Sequence, residues 1–302
     1  MRDVLRVIEG GFFSAVLLCT MFVRAEGYVK PLEIDLQPGV TNTLAAWLLE
    51  AECSLDDYAE LVKKGDGCLK IEEAIAFTGD IHVEGGTLWP MKEGALGGDG
   101  GRVVVHDGGR LYYDTQNEET VSSPSFYGKK FFIEGDGGDG LGAVLCRCRG
   151  YGSARLLGTN LTLTANAKIA VADGRYDLPQ ALTLDLGGYT LTLANVLGAS
   201  GKIICYGGSK ISNGHIIADK CQFLHQNTSG YVGGPENTIS LVNGASLSMY
   251  NFMGTVNWGA SDSAGNRRVD DHRPVSQYGL VGTEQMGRSA SVGKERLSFT
   301  HG

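Results

Sequence analysis

Residues Leu61–Leu111 read LVKKGDGCLKIEEAIAFTGDIHVEGGTLWPMKEGALGGDGGRVVVHDGGRL, and this stretch decides the fold. Short aliphatic runs alternate with polar residues, as half-buried strands do. Each run is bounded by Gly, Asn or Asp, the residues that accept the positive φ of tight corners. Gly85-Gly86-Thr87-Leu88 returns as Gly108-Gly109-Arg110-Leu111, which makes Leu88 and Leu111 equivalent positions of one repeat. A corner-plus-strand unit recurring at this spacing is the mark of a solenoid or propeller. One coil cannot bury its own apolar face, but a stack of coils can.

The pattern extends outward from this core. Leu161 to Thr164, Leu182 to Leu186, Thr190 to Leu193 and Ser246 to Met249 all alternate with period two. Gly187-Gly188-Tyr189-Thr190-Leu191 and Gly207-Gly208-Ser209-Lys210-Ile211 suggest a further repeat, with Leu191 and Ile211 as its equivalent positions. Asn213-Gly214 and Asn243-Gly244 continue the corners less regularly. The propeller signature of Gly-His and Trp-Asp pairs is absent, and so is the leucine-rich repeat consensus. The expected fold is therefore all-β: a single-stranded parallel β-helix over residues 61–258. A β-sandwich with ordinary hairpins is the competing reading.

Composition agrees. Glycine supplies 45 of 302 residues and proline only 7, without the every-third-residue glycine of collagen. Hydrophobic residues make up 42%, enough for a core, and the formal net charge of −8 argues against nucleic acid as a partner.

The flanks differ. Arg2 and Arg6 precede the apolar run Gly11 to Val23, and Val23-Arg24-Ala25 offers small residues at the −3 and −1 positions of a cleavage site. Residues 1–25 thus read as a secretory signal peptide, with an amphipathic or buried helix as the alternative. The run is too short to span a bilayer as a helix, and no other stretch is expected to span. Residues 26–60 are expected to form a short helical N-terminal cap. Leu44, Trp47, Leu48 and Ala51 make one helical face, Thr41 or Thr43 is placed to cap it, and a second helix is expected from Ser54 to Val62. Residues 259–302 lack periodicity and read as a loose tail.

Within Leu61–Leu111, four steps occur in order. Leu61 to Ile71 resembles the "LxKxGxGTLxL" opening of the autotransporter-associated β-strand repeat. Phe77 to Val83 is similar to its "YTGxTxV" step and Glu84 to Leu88 to its "NGGTL" step. Ala95-Leu96-Gly97 with Val103 to Leu111 is similar to its "ALG…VxVxxGxxL" continuation. Cys68 stands where Thr is usual, and Ile71 is followed by Glu72-Glu73-Ala74 in place of a Ser-Gly-Ala turn. The resemblance implies a right-handed β-helical passenger, exported to the surface or surroundings of a Gram-negative-type bacterium, with a scaffold or adhesin-like role. Its partners would be extracellular glycans or cell-surface ligands. Members often end in a membrane barrel. No series of alternating strand-length segments follows residue 258, so a fragment without its translocator is expected.

Chemistry is sparsely signalled. The second reading of a β-helix is a polysaccharide-active enzyme of pectate-lyase type, which would need clustered carboxylates beside Arg or Lys. Asp99, Arg102, Asp107, Arg110 and Asp114 are the nearest candidates, and the period allows Asp80 to stack near Arg102; a solvated outer face accounts for them as well. His82 and His106 are placed by the same period to stack on adjacent coils, although exposed strand positions explain both. His215, His225, His272 and His301 are scattered. Asp136 and Asp139 in the Gly135–Gly142 run partly match a calcium nonapeptide, but a single copy reads as a turn. The six cysteines beyond the signal (Cys53, Cys68, Cys146, Cys148, Cys205, Cys221) are too few for a disulfide framework, and buried thiols are expected. No catalytic, cofactor-binding or metal-binding residue is assigned.

Overall fold

The structure is a computed structural model. It describes residues 30–114, 129–147, 160–178, 182–197, 201–206, 210–228, 231–232, 237–252, 287–292 and 297–301. The expected signal peptide, residues 1–25, lies outside the described residues, as does most of 253–302.

The chain is an all-β parallel solenoid, built from strand ladders. The first stacks β1 (Leu32–Asp35), β3 (Glu60–Lys64), β5 (Asp80–Val83), β7 (Arg102–Val105) and β9 (Lys130–Gly135). The second stacks β2 (Thr41–Thr43), β4 (Cys68–Ile71), β6 (Gly86–Pro90), β8 (Gly109–Asp114) and β10 (Val144–Arg147). The long strand β11 (Asn160–Asp173) joins them, pairing β9 through its first half and β10 through its second. From there the second ladder continues through β14 (Thr190–Asn195), β17 (Gly214–Asp219) and β20 (Asn237–Val242). Later coils add another ladder of β12 (Arg175–Asp177), β15 (Lys202–Tyr206), β18 (Gln222–Thr228) and β21 (Ser246–Phe252). A short one comprises β13 (Thr183–Asp185), β16 (Lys210–Ser212) and β19 (Tyr231–Val232).

The registers explain why the sequence alternates. Leu32, Leu61, Ile81, Val103, Phe131 and Leu161 follow one another as ladder partners, and all are at most 4% exposed. In the second ladder Leu69, Leu88, Leu111, Val144, Ile169, Leu193, Ala218 and Leu241 form an equally buried column. Full burial of each large aliphatic stabilises the fold by about 1.5–3 kcal/mol, so the columns dominate the energetics. The steps along the first column are unequal: those from Leu61 to Ile81 and from Ile81 to Val103 are short, and those to Phe131 and Leu161 are longer. Extra residues enter between strands, while the inward positions hold their register. That is why the sequence repeat is loose.

The glycine corners have a steric cause. Gly86 has φ +62°, and a Cβ there would lie 2.4 Å from the carbonyl oxygen of Gly67 on the preceding coil. At Gly109 a Cβ would sit 2.0 Å from the Val83 carbonyl oxygen. Corners of successive coils rest backbone on backbone, which leaves no room for a side chain.

Several boundaries differ from expectation. The stack begins at Leu32, inside the segment expected to be a helical cap, because β1 and β2 already pair with β3 and β4. The helix α1 (Leu44–Glu50) forms as expected and is capped by Thr43, whose hydroxyl accepts from the Ala46 amide. Leu44 is buried, Trp47 and Leu48 pack on the core, and Leu49 on the opposite side is 81% exposed. The second helix shrinks to a 3-10 turn, Leu55–Asp57, because β3 claims Glu60 to Lys64 for the ladder. The expected equivalence of Leu191 and Ile211 is wrong: Leu191 stacks on Ile216, and Ile211 on Leu184. Gly187-Gly188 precedes β14 of the second ladder, whereas Ile211 belongs to β16 of the short ladder; Gly207-Gly208 lies outside the described residues. The expected loose tail contains β22 (Gly287–Val292) and β23 (Leu297–His301), an antiparallel pair added to β21. Cys68, half-buried, and Cys221, buried, are free thiols, and burial pushes Cys221 up to about 12. Cys146 is packed in the core. Cys148 lies outside the described residues.

One inward position is polar. Lys63 stands in the column between Ile34 and Val83 and is fully buried. Its ammonium turns into the corner and donates to the carbonyl oxygens of Lys64 (2.7 Å), Gly65 (2.7 Å) and Gly85 (3.0 Å). Three acceptors match three N–H donors. Burial nevertheless lowers its pKa from 10.5 to about 8. Between those values the unfolded chain binds more protons than the folded one, so stability should rise with pH across that window. Urea titrations at several pH values between about 8 and 10.5 check this. Lys63→Met should flatten the rise relative to the parent, and equal slopes in the two proteins would contradict the assignment.

Candidate functional site

The outward faces carry the chemistry. Parallel strands lie about 4.8 Å apart, so outward side chains on successive coils touch although they are distant in sequence.

The richest row runs along the first ladder. Alternation places Asp80 and His82 outward on β5, since Ile81 and Val83 point in. The Arg102 guanidinium donates to Oδ2 of Asp80 through Nε (2.8 Å) and Nη2 (2.5 Å), and the Arg102 amide donates to Oδ1 (2.7 Å). Burial pushes the Asp80 carboxyl up, but these bonds outweigh it and hold the group below its ordinary value. Arg102 also lies 6.0 Å from the Phe132 ring centre.

His82 Nδ1 and His106 Nε2 are 3.1 Å apart. Their planes differ by 14° and their ring centres are 5.4 Å apart. That separation equals the nitrogen distance plus roughly one ring radius at each end. The rings therefore meet end to end, as an N–H···N hydrogen bond, and not face to face. On the far side, His106 Nδ1 is 3.6 Å from Oε1 of Glu134, whose Oε2 accepts from the Thr164 hydroxyl at 2.8 Å. On the near side, Glu60, Asp80 and His82 each place one donor atom within 4.8 Å of the other two. The row thus links carboxylates to two imidazoles over successive coils. Lys129 lies nearby with its ammonium buried and without a hydrogen-bond partner; burial lowers its pKa, opposed by Asp80 and Asp99.

A second constellation pins the glycine-rich run. Arg110 on β8 is buried, and its Nε donates to the Gly142 carbonyl oxygen at 3.0 Å. Its Nη2 meets the Gly137 carbonyl and pairs with Asp139. Of the two side chains weighed as calcium ligands, Asp139 pairs with this guanidinium and Asp136 accepts from the Gly138 amide within the same turn. In a third, on the second ladder, Tyr112 donates to Asp114 at 2.9 Å, with Arg147 3.8 Å from the same carboxylate. Trp89 meets the Tyr112 ring edge to face at 5.1 Å, with the Lys70 ammonium 4.8 Å from the indole.

The five residues weighed as a catalytic patch do not converge. Arg102 joins Asp80, Arg110 joins Asp139, and Asp114 joins Tyr112 and Arg147. Asp107 meets Glu134 through its amide, and Asp99 faces Lys129. Asp80 meets Arg102 in register, as the period expects; His82 also meets His106, but diagonally and end to end, since its register partner is Val104. His215 bonds Thr238 on the next coil, while the side chains of His225, His272 and His301 lie outside the described ones. Sequence reading missed the roles of Glu60, Glu134 and Lys129. Glu60 could have been found, since the step from it to Asp80 is the regular one between Leu61 and Ile81. Glu134 lies beyond a longer step, where the period fails.

No protein-family model matches the chain, and no curated protein is significantly similar to it.

Removing the Arg110 clamp should release the glycine run. Arg110→Met keeps the buried stem but strands the Gly142 carbonyl and Asp139. The expected cost is about 1–3 kcal/mol, with faster amide exchange confined to residues 136–142. Unchanged exchange there would show that the loop holds itself.

Proposed function

We propose that the chain is an exported, non-enzymatic β-solenoid scaffold of surface-protein type, presenting its ladders to extracellular glycans or cell-surface ligands. One observation carries this reading. Among the described residues, four ion pairs tie an outward cation to a carboxylate of a neighbouring coil. Lys64 meets Glu33, Lys92 meets Glu73, Arg102 meets Asp80, and Arg110 meets Asp139. A glycosidase requires two carboxylates at a fixed spacing across the scissile bond, free to act as acid and base, and those of these ion pairs are neutralised. The pairing here serves the stack instead, because it offsets the repulsion that rows of like charge would create.

The signal-like segment Arg2 to Ala25 supports export, and the net charge of −8 weighs against a nucleic-acid partner. The four-step likeness of Leu61–Leu111 to the autotransporter-associated repeat supports a passenger-type role. Its steps fall on β3 to β8, so the likeness follows the coils. No helix among the described residues is long and apolar enough to cross a membrane.

Two measurements test the proposal. Expressed in a bacterium with an outer membrane, the chain should leave the cytoplasm and begin at Glu26 by N-terminal sequencing. Incubated with a panel of acidic polysaccharides, with and without calcium, the purified chain should release neither unsaturated products nor reducing ends. Turnover on any of them would replace the scaffold by the enzyme reading, and cytoplasmic retention with an intact N-terminus would remove export.

A further inference from the structure

The row around His82 has more acceptors than protons. Glu134 lies 3.6 Å from Nδ1 of His106, and its negative charge favours a proton on that nitrogen. His106 Nε2 is then an acceptor, so the proton in its 3.1 Å contact with His82 belongs to Nδ1 of His82. In the neutral ring, Nε2 of His82 is left with a bare lone pair. Its companions Glu60 and Asp80 are carboxylates, and the three donor atoms lie within 4.8 Å of one another. Asp80 in that group is hydrogen-bonded to a cation, Arg102, whose charge also acts on Glu60. The buried Lys129 ammonium is drawn by both Asp80 and Asp99, so two cations, Arg102 and Lys129, stand among the four carboxylates Glu60, Asp80, Asp99 and Glu134.

We infer that Glu60, Asp80 and His82 form a binding site for a divalent first-row transition-metal ion, zinc in particular, on the outer face of the solenoid. One imidazole and two carboxylates within a single small radius are a mixed nitrogen and oxygen set, which suits zinc better than calcium. Small side-chain rotations bring the three atoms from 4.8 Å to the separations that ligand bonds of about 2.0–2.2 Å require. The Glu134–His106 pair is the outer shell: it sets the His82 tautomer that leaves Nε2 for an ion. Arg102 orients Asp80 in the same way from the other side. The ligands come from two successive coils, so a bound ion staples β3 to β5 and, through His106, to the turn after β7. They stand on strands whose inward neighbours are fully buried, so the site is held by the core columns.

The test uses the full chain without an affinity tag, purified in chelator and then dialysed free of it. Calorimetric titration with zinc chloride should give one site per chain, tighter than micromolar, with calcium chloride at least 100-fold weaker. The melting temperature should rise on adding zinc. His82→Ala and His82→Gln should each abolish the heat and the thermal shift, and Glu60→Gln should weaken binding 10-fold or more. His106→Gln, a positioning change, should weaken binding about 10- to 100-fold without removing the site. His215→Ala, at the Thr238 contact elsewhere in the stack, should bind as the parent does. Circular dichroism of the apo variants separates a lost ligand from a lost fold, and the two His82 variants guard against one that misfolds. Absence of zinc binding below millimolar concentration, or equal binding by a folded His82 variant, overturns the inference. The scaffold reading survives either result, since it rests on the other ion pairs.

Discussion

Everything in this molecule follows from the parallel ladder between one coil and the next. Each strand must meet its predecessor in register, because a slip of one residue would turn every inward aliphatic to solvent. Leu61 therefore lies on Leu32 and under Ile81, and the column continues through Val103, Phe131 and Leu161 whatever the length of chain between them. The ladder fixes what stacks and leaves free what lies between. Long insertions cost little, since loop-closure entropy grows only slowly with length.

The same constraint gives the corners and the outer rows their chemistry. Where coils stack closely, carbonyls of one corner face the backbone of the next. Gly86 and Gly109 meet this by having no side chain, and Lys63 meets it by sending an ammonium inward to three carbonyls. An apolar residue at 63 would fill the column but leave those oxygens to one another. Outside, any charge is set against its counterparts above and below. Asp80 beneath Arg102 is favourable, and a second carboxylate in place of that arginine would not be.

The features legible in the sequence are those that local periodicity encodes. Alternation with Gly-Gly corners marks the strands, and the recurrence of the Gly-Gly corner correctly places Leu88 on Leu111. The helical face of Leu44, Trp47, Leu48 and Ala51 is equally visible, because a helix carries its pattern within a few turns. Two other features are hidden. The coil formed by Leu32–Asp35 and Thr41–Thr43 is too short to show alternation, and its identity as a coil lies in its pairing with β3 and β4. The later coils have three strands apiece, so the Gly-Gly signal before Ile211 imitates a repeat of the one before Leu191. The ladder sets Ile211 on Leu184 instead.

The outer site marks where periodicity stops. His82 and His106 meet diagonally, because the register sets His82 beside Val104 and His106 follows two residues on. Glu134 completes the row, but it follows the longer step from Val103 to Phe131, and no constant period reaches it. In a solenoid a constellation is dispersed in sequence by the lengths of its loops and reassembled by the register of its core. Motifs of fixed spacing therefore fail at these sites for a physical reason. The useful unit is the inward residue: once Val105 is placed on Val83 and Ile133 on Val105, the outward neighbours of all three are brought into one row. The core column, which carries no chemistry of its own, locates the residues that do.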